Sequence, residues 1–139
     1  MQPPIPSSGK FVLFRHECPE KETHLDLMLE VPNNKQLLCY RCDQSRFDPK
    51  KDSEWIFYAC KQKKYLLHSG LIRPGMGSLM PIHKGQYKLT SNKQLKLCGK
   101  GFEYCFLIKL THKGIRFTGK KMLSVKTNSA VLGDTFVVS

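Results

Sequence analysis

Acidic residues are scarce in this chain. Asp and Glu total 11 of 139 residues against 23 Lys and Arg, which leaves a formal charge of +12. A surface this cationic repels basic partners and attracts polyanions: nucleic acid, anionic lipid or phosphorylated ligands. Long apolar runs are missing as well. No stretch approaches the ~20 residues that a membrane-spanning helix needs, so no membrane partner is expected. The opening segment MQPPIPSSGK has neither the basic nor the apolar region of a secretory signal, and a cytoplasmic location is expected. No fixed repeat period occurs. Six cysteines (Cys18, Cys39, Cys42, Cys60, Cys98 and Cys105) are too few for a disulfide scaffold and are read as reduced thiols.

Helical periodicity is also absent, and what fills the chain is short segments of strand character. Residues 1–10 carry three prolines, two serines and a glycine, and read as a flexible arm. Lys10 to Arg15 is rich in β formers. His24 to Val31 alternates strictly, with Leu25, Leu27, Leu29 and Val31 on one face and His24, Asp26, Met28 and Glu30 on the other. Pro32 to Lys35 is a turn, so this strand and Leu37 to Cys42 should form a hairpin. Arg46 to Glu54 reads as a polar loop and Trp55 to Ala59 as a buried strand. Turns are expected at Arg73 to Ser78, at Lys84-Gly85 and at His112 to Gly114, with a further alternating strand from Phe102 to Leu110. Many short strands with regular turns predict a mostly-β fold, a small closed or partly open barrel with few or short helices. One domain over 11–125 follows, with 126–139 as a tail or last strand and a monomer expected.

The informative feature is His24-x-Asp26 on a strand, preceded by His16 at the end of the strand before it. Residues i and i+2 of a strand project from the same face, so the imidazole and the carboxylate can reach one point. A third ligand from a neighbouring strand completes a two-His, one-carboxylate set, which suits Zn, Mn or Fe and leaves positions for water or substrate. The spacing alone is weak and is read first as two polar residues on a solvated sheet face. Cys39-x-x-Cys42 is not read as a zinc site. No second pair accompanies it, and i and i+3 of a strand point to opposite faces.

With the flanking residues included, the chain resembles a known family. Phe11-Val12-Leu13-Phe14-Arg15-His16 followed by His24-Leu25-Asp26-Leu27-Met28-Leu29-Glu30 looks like the F-V-x-x-x-H, H-x-D-x-x-L-E motif of the 3′-phosphoesterase domain of bacterial DNA ligase D, in a divergent stand-alone form. Tyr65 to Gly70 sits at that family's Y-x-x-F-E-G, and Gly75-x-Gly77 and Gly85-x-Tyr87 match its later turn and G-x-Y. The resemblance covers about residues 10 to 90. It implies a small β-barrel enzyme of DNA repair that binds Mn²⁺ or Zn²⁺ through His16, His24 and Asp26. Such an enzyme trims phosphates or ribonucleotides from DNA or RNA 3′ ends, beside a ligase or polymerase of end joining. Lys61 and Tyr65 would contact the reacting phosphate, and Arg15, Lys61, Lys63, Lys64 and Arg73 are the candidate phosphate and nucleic-acid contacts.

The departures touch the phosphate-handling residues. Seven residues separate His16 from His24, where the family has five or six. Met28 stands at the position of the family's arginine, Gln44 at that of a lysine and Lys61 at that of a catalytic histidine. A lysine neutralises a phosphate oxygen but is a poor general acid near neutral pH. The alternative function is therefore a catalytically impaired nucleic-acid-binding barrel that recruits repair partners. His68, His83 and His112 are read as ordinary side chains.

Overall fold

A computed structural model describes residues 2–19, 21–48, 50–72, 77–91, 94–99, 105–124 and 136–138. Among the described residues ten strands follow one another: β1 (Ser8–Glu17), β2 (His24–Glu30), β3 (Gln36–Cys42), β4 (Asp52–Gln62), β5 (Gly70–Leu71), β6 (Ser78–Leu89), β7 (Gln94–Gly99), β8 (Cys105–Leu110), β9 (Gly114–Ser124) and β10 (Phe136–Val138). A 3₁₀ turn, Lys63–Leu67, links β4 to β5. Eight strands close an antiparallel barrel in the order β1-β2-β3-β4-β9-β8-β7-β6, and β6 pairs back onto β1 from Ser8↔Lys88 to Glu17↔Ser78. β5 extends the wall beside β6, and β10 pairs with the end of β9. Among the described residues no helix is long and apolar enough to cross a membrane.

The barrel interior is filled by alternate residues of every wall strand, including Phe11, Leu13, Leu25, Leu27, Leu29, Leu38, Tyr40, Trp55, Leu97, Ile108, Ile115 and Phe117. The leucine face of β2 points here, as its alternation predicts. A second, smaller apolar cluster lies outside the wall: Val12, Phe14, Met28, Leu37, Cys39, Leu66 and Leu79, with Tyr65 and Ile72 against it. The 3₁₀ turn and the chain after it cover this patch. The other face of β2 is thus buried rather than solvated. Cys39 belongs to the outer cluster and Cys42 to the inner one, so the C-x-x-C pair is split across the wall.

Several boundaries differ from the sequence reading. Strand β1 starts at Ser8, inside the segment read as an arm, because Ser8 to Lys10 pair with Lys88 to Gln86. Ahead of it, the Gln2 side chain donates to the Thr111 carbonyl at 2.9 Å and Ile5 packs on the core. Strand β4 runs from Asp52 to Gln62, well beyond Trp55 to Ala59 at both ends. Lys84-Gly85 is not a turn but the middle of β6. A Cβ at Gly85 would stand 1.9 Å from the Cys98 carbonyl oxygen, so glycine serves close strand approach there. The polar loop after β3 contributes Phe47, whose ring meets Trp55, His83, Phe106 and Phe117 edge-on and plugs the barrel. Cys98 is disulfide-bonded, which corrects the reading of six reduced thiols. In the β7–β8 ladder the backbone of Cys98 stands opposite that of Cys105. Cys18, Cys39, Cys42 and Cys60 are free thiols. The turn residues Arg73 and Gly75, the start of the Phe102 strand and most of the 126–139 tail lie outside the described residues.

Two substitutions test this architecture. Gly77 has φ +84°, and a Cβ there would stand 1.9 Å from the Glu17 carbonyl oxygen. Gly77→Ala should therefore cost about 2–4 kcal/mol in denaturant unfolding, the sum of left-handed strain and a clash with fixed backbone. Tyr40 is fully buried, and its hydroxyl has no hydrogen-bond partner among the described residues. Removing an unsatisfied buried hydroxyl relieves its desolvation penalty, so Tyr40→Phe should raise stability by about 1 kcal/mol. A measured loss would show that the hydroxyl is satisfied.

Candidate metal centre and phosphate groove

Three neighbouring strands build the site by register alone. In the β1–β2 ladder His16 stands directly opposite His24. In the β2–β3 ladder Asp26 stands directly opposite Arg41. Alternation along β2 then puts His24 and Asp26 on the same, outward face. The result is a compact cluster on the outside of the barrel. His16 Nδ1 and His24 Nε2 are 2.9 Å apart, and each lies 3.4 Å from Asp26 Oδ2. Asp26 is 1% exposed and His16 9%, so the cluster is largely screened from water.

Charge balance explains how a carboxylate survives there. Burial alone would push the Asp26 carboxyl up. The contacts from His16, His24 and Arg41 outweigh burial and hold it well below the usual carboxylate range. Arg41 Nε donates to Asp26 Oδ1 at 2.9 Å, opposite the oxygen that faces the imidazoles. Its guanidinium carbon lies 3.6 Å from the centroid of the Tyr58 ring, a stacked cation–π contact that fixes the plane of the fork. Burial acts to lower the Arg41 pKa, but the bond to Asp26 raises it overall, so both partners stay charged.

The donor set fits a small divalent cation. Ligand atoms about 2.1 Å from one ion, at angles of roughly 90–109°, stand about 3.0–3.4 Å from one another. The three separations here fall at that spacing. Cys18 is close enough to be counted with the two histidines, all three donor atoms lying within 4.8 Å of one another. Its sulfur, however, lies 3.9 Å from His24 Nδ1, behind the ring rather than at the shared point. To bind a metal, His24 would carry its proton on Nδ1, toward that sulfur, and turn an unprotonated Nε2 toward Asp26 and His16.

Beside the cluster, His16, Asp26, Arg41, Lys61 and Tyr65 surround a pocket of about 50 Å³. Lys61, Tyr65 and Ile72 also line an adjoining groove of about 420 Å³, completed by Cys60, Gln62, Lys64 and His68. Of the other candidates, Arg15 points away on the opposite face of β1, where it pairs with Glu17 at 2.8 Å. Lys63 leaves the groove for Glu30 at 3.5 Å and the Asn34 carbonyl at 3.2 Å. The structure thus gathers His16, His24, Asp26, Lys61, Tyr65 and Lys64 along one path and separates Arg15 and Lys63 from it. Met28 is 2% exposed and packs in the outer cluster, so this position supplies no cation.

Two residues were missed by sequence reasoning. Arg41 lies inside the expected Leu37 to Cys42 strand, and only its pairing with Asp26 reveals its role. His68 was read as ordinary, yet its ring lies 5.7 Å from that of Tyr65 in the groove, with Nε2 3.1 Å from the Gly70 carbonyl. No protein-family model matches the chain, and no curated protein matches it.

Proposed function

We propose that this chain is a divalent-metal, phosphoesterase-like protein that acts on the 3′ ends of DNA or RNA, with Mn²⁺ or Zn²⁺ held by His16, His24 and Asp26. One observation carries the reading: two imidazole nitrogens and a carboxylate oxygen converge from two adjacent strands at 2.9 to 3.4 Å. When bound, the cation would draw charge from a phosphate oxygen and favour attack at phosphorus. The chain's own groups do the rest. Arg41 keeps Asp26 ionised. Lys61 and Lys64 line the approach and offset phosphate charge. Tyr65 stands where the pocket and the groove meet, with the Lys64 ammonium over its ring. The +12 charge draws a nucleic-acid strand to this surface.

The test is a 3′-phosphorylated primer incubated with Mn²⁺. Release of inorganic phosphate, abolished by EDTA, is the expected result. A second reading, favoured by the buried Met28 and by the turning of Lys63 away from the groove, is a nucleic-acid-binding barrel that recruits a ligase or polymerase without catalysis. Primer binding without release supports that alternative. In either case binding should weaken steeply with salt, by a slope of roughly −0.7 to −0.9 per phosphate contacted. A flat salt response in a filter-binding titration overturns the nucleic-acid partner.

A further inference from the structure

We infer that Arg41 is a phosphate-binding residue of this site, using guanidinium edges not engaged by Asp26 to hold an oxyanion beside the metal ligands. The inference rests on the metal reading above and names a residue that this reading alone does not require. Neutralising Asp26 takes one Arg41 nitrogen, Nε. A guanidinium carries five N–H donors in a planar fork that matches phosphate oxygens in pairs. The Tyr58 ring lies over that fork and its hydroxyl also contacts the guanidinium, which still leaves N–H donors beyond Nε for an oxyanion. The side chain is 21% exposed, and it lines the pocket together with Lys61 and Tyr65. Two cationic side chains therefore converge on a pocket with one carboxylate, and that carboxylate is the group a metal would occupy. With its charge taken up by a cation, the pocket is left strongly positive and selects a dianion over a neutral ligand. The guanidinium is also fixed in advance by stacking and by the Asp26 bond, so little conformational freedom is lost on binding.

The experiment uses inorganic phosphate as probe, titrated by isothermal calorimetry against wild type, Arg41→Gln and Arg41→Lys, each with and without Mn²⁺. Mn²⁺ affinity is measured separately by electron paramagnetic resonance, and folding by circular dichroism. With each protein saturated with Mn²⁺, Arg41→Gln should lose tenfold or more in phosphate affinity, beyond the loss of Mn²⁺ affinity that follows from its missing contact with Asp26. Arg41→Lys, which folds with the charge kept but the fork lost, should fall between the two. Equal phosphate affinities in wild type and Arg41→Gln overturn the inference, as does a wild type that binds no phosphate. Phosphate affinity that returns to the wild-type value once Arg41→Gln is saturated with Mn²⁺ also overturns it and makes Arg41 a positioning residue for Asp26. Failure of the wild type to take up Mn²⁺ sinks the metal reading, and Arg41 is then judged on the phosphate titration of the metal-free protein.

Discussion

His24→Ala should lower Mn²⁺ affinity by about 100-fold or more and reduce phosphate release to background, with the barrel still folded. Even partners behind a ligand are worth 10–100-fold in metal affinity, and removing a ligand costs at least that. The substitution is clean because His24 begins β2 and belongs to neither apolar cluster. Asp26→Asn should do the same to the metal and cost more to the fold. It replaces a charged acceptor of Arg41 and the imidazoles by an amide, leaving a partly buried guanidinium without its counter-charge. A loss of about 1–3 kcal/mol in unfolding is expected for that variant. Metal titration followed by electron paramagnetic resonance, beside thermal melts, separates the two effects. Wild-type Mn²⁺ uptake in His24→Ala would refute the assignment of the ligands.

Trp55→Ala should bring the barrel close to unfolding. Trp55 is 2% exposed, its ring centroid stands 5.3 Å from that of Phe117, and Phe47 closes over it from the loop after β3. Its indole nitrogen donates to the buried Ser53 hydroxyl at 3.0 Å. Truncation removes the largest side chain of the interior and also strips that hydroxyl of its donor. Large-to-small changes of this kind cost about 3–5 kcal/mol, against a total stability of roughly 5–15 kcal/mol for a domain. Urea unfolding gives the value directly. A loss below ~1 kcal/mol would mean that the interior closes over the gap, against the close packing described.

Much of this architecture was legible before any coordinates, because its signals are local. Strict alternation in β2 oriented the leucines and the H-x-D pair correctly, and Pro32 to Lys35 marked the hairpin. Asn33 takes the left-handed conformation (φ 64°) that such turns favour. Non-local facts were not legible. Closure of the ring depends on β1 meeting β6 some seventy residues later, which no short window shows. Alternation told which face of β2 is apolar, but not that the opposite face is covered too, because the 3₁₀ turn and the segment behind it come from elsewhere in the chain. Arg41 escaped notice for the same reason, since its meaning lies in a cross-strand neighbour. Phe47 escaped because a single aromatic in a polar loop carries no periodicity.

The way β1 and β2 bring the two imidazoles together has a consequence for sequence drift. Their positions are set by the ladder pairing His16↔His24, not by the residues that connect them. The stretch that connects them beyond the end of β1 can lengthen or shorten while both ring nitrogens keep their places, so seven residues between His16 and His24 are no obstacle to chelation. A single-residue slip in the ladder, by contrast, would turn Asp26 into the leucine interior and scatter the cluster at once. Insertions engineered after Cys18 and before His24 are therefore the place to attach a reporter near the groove.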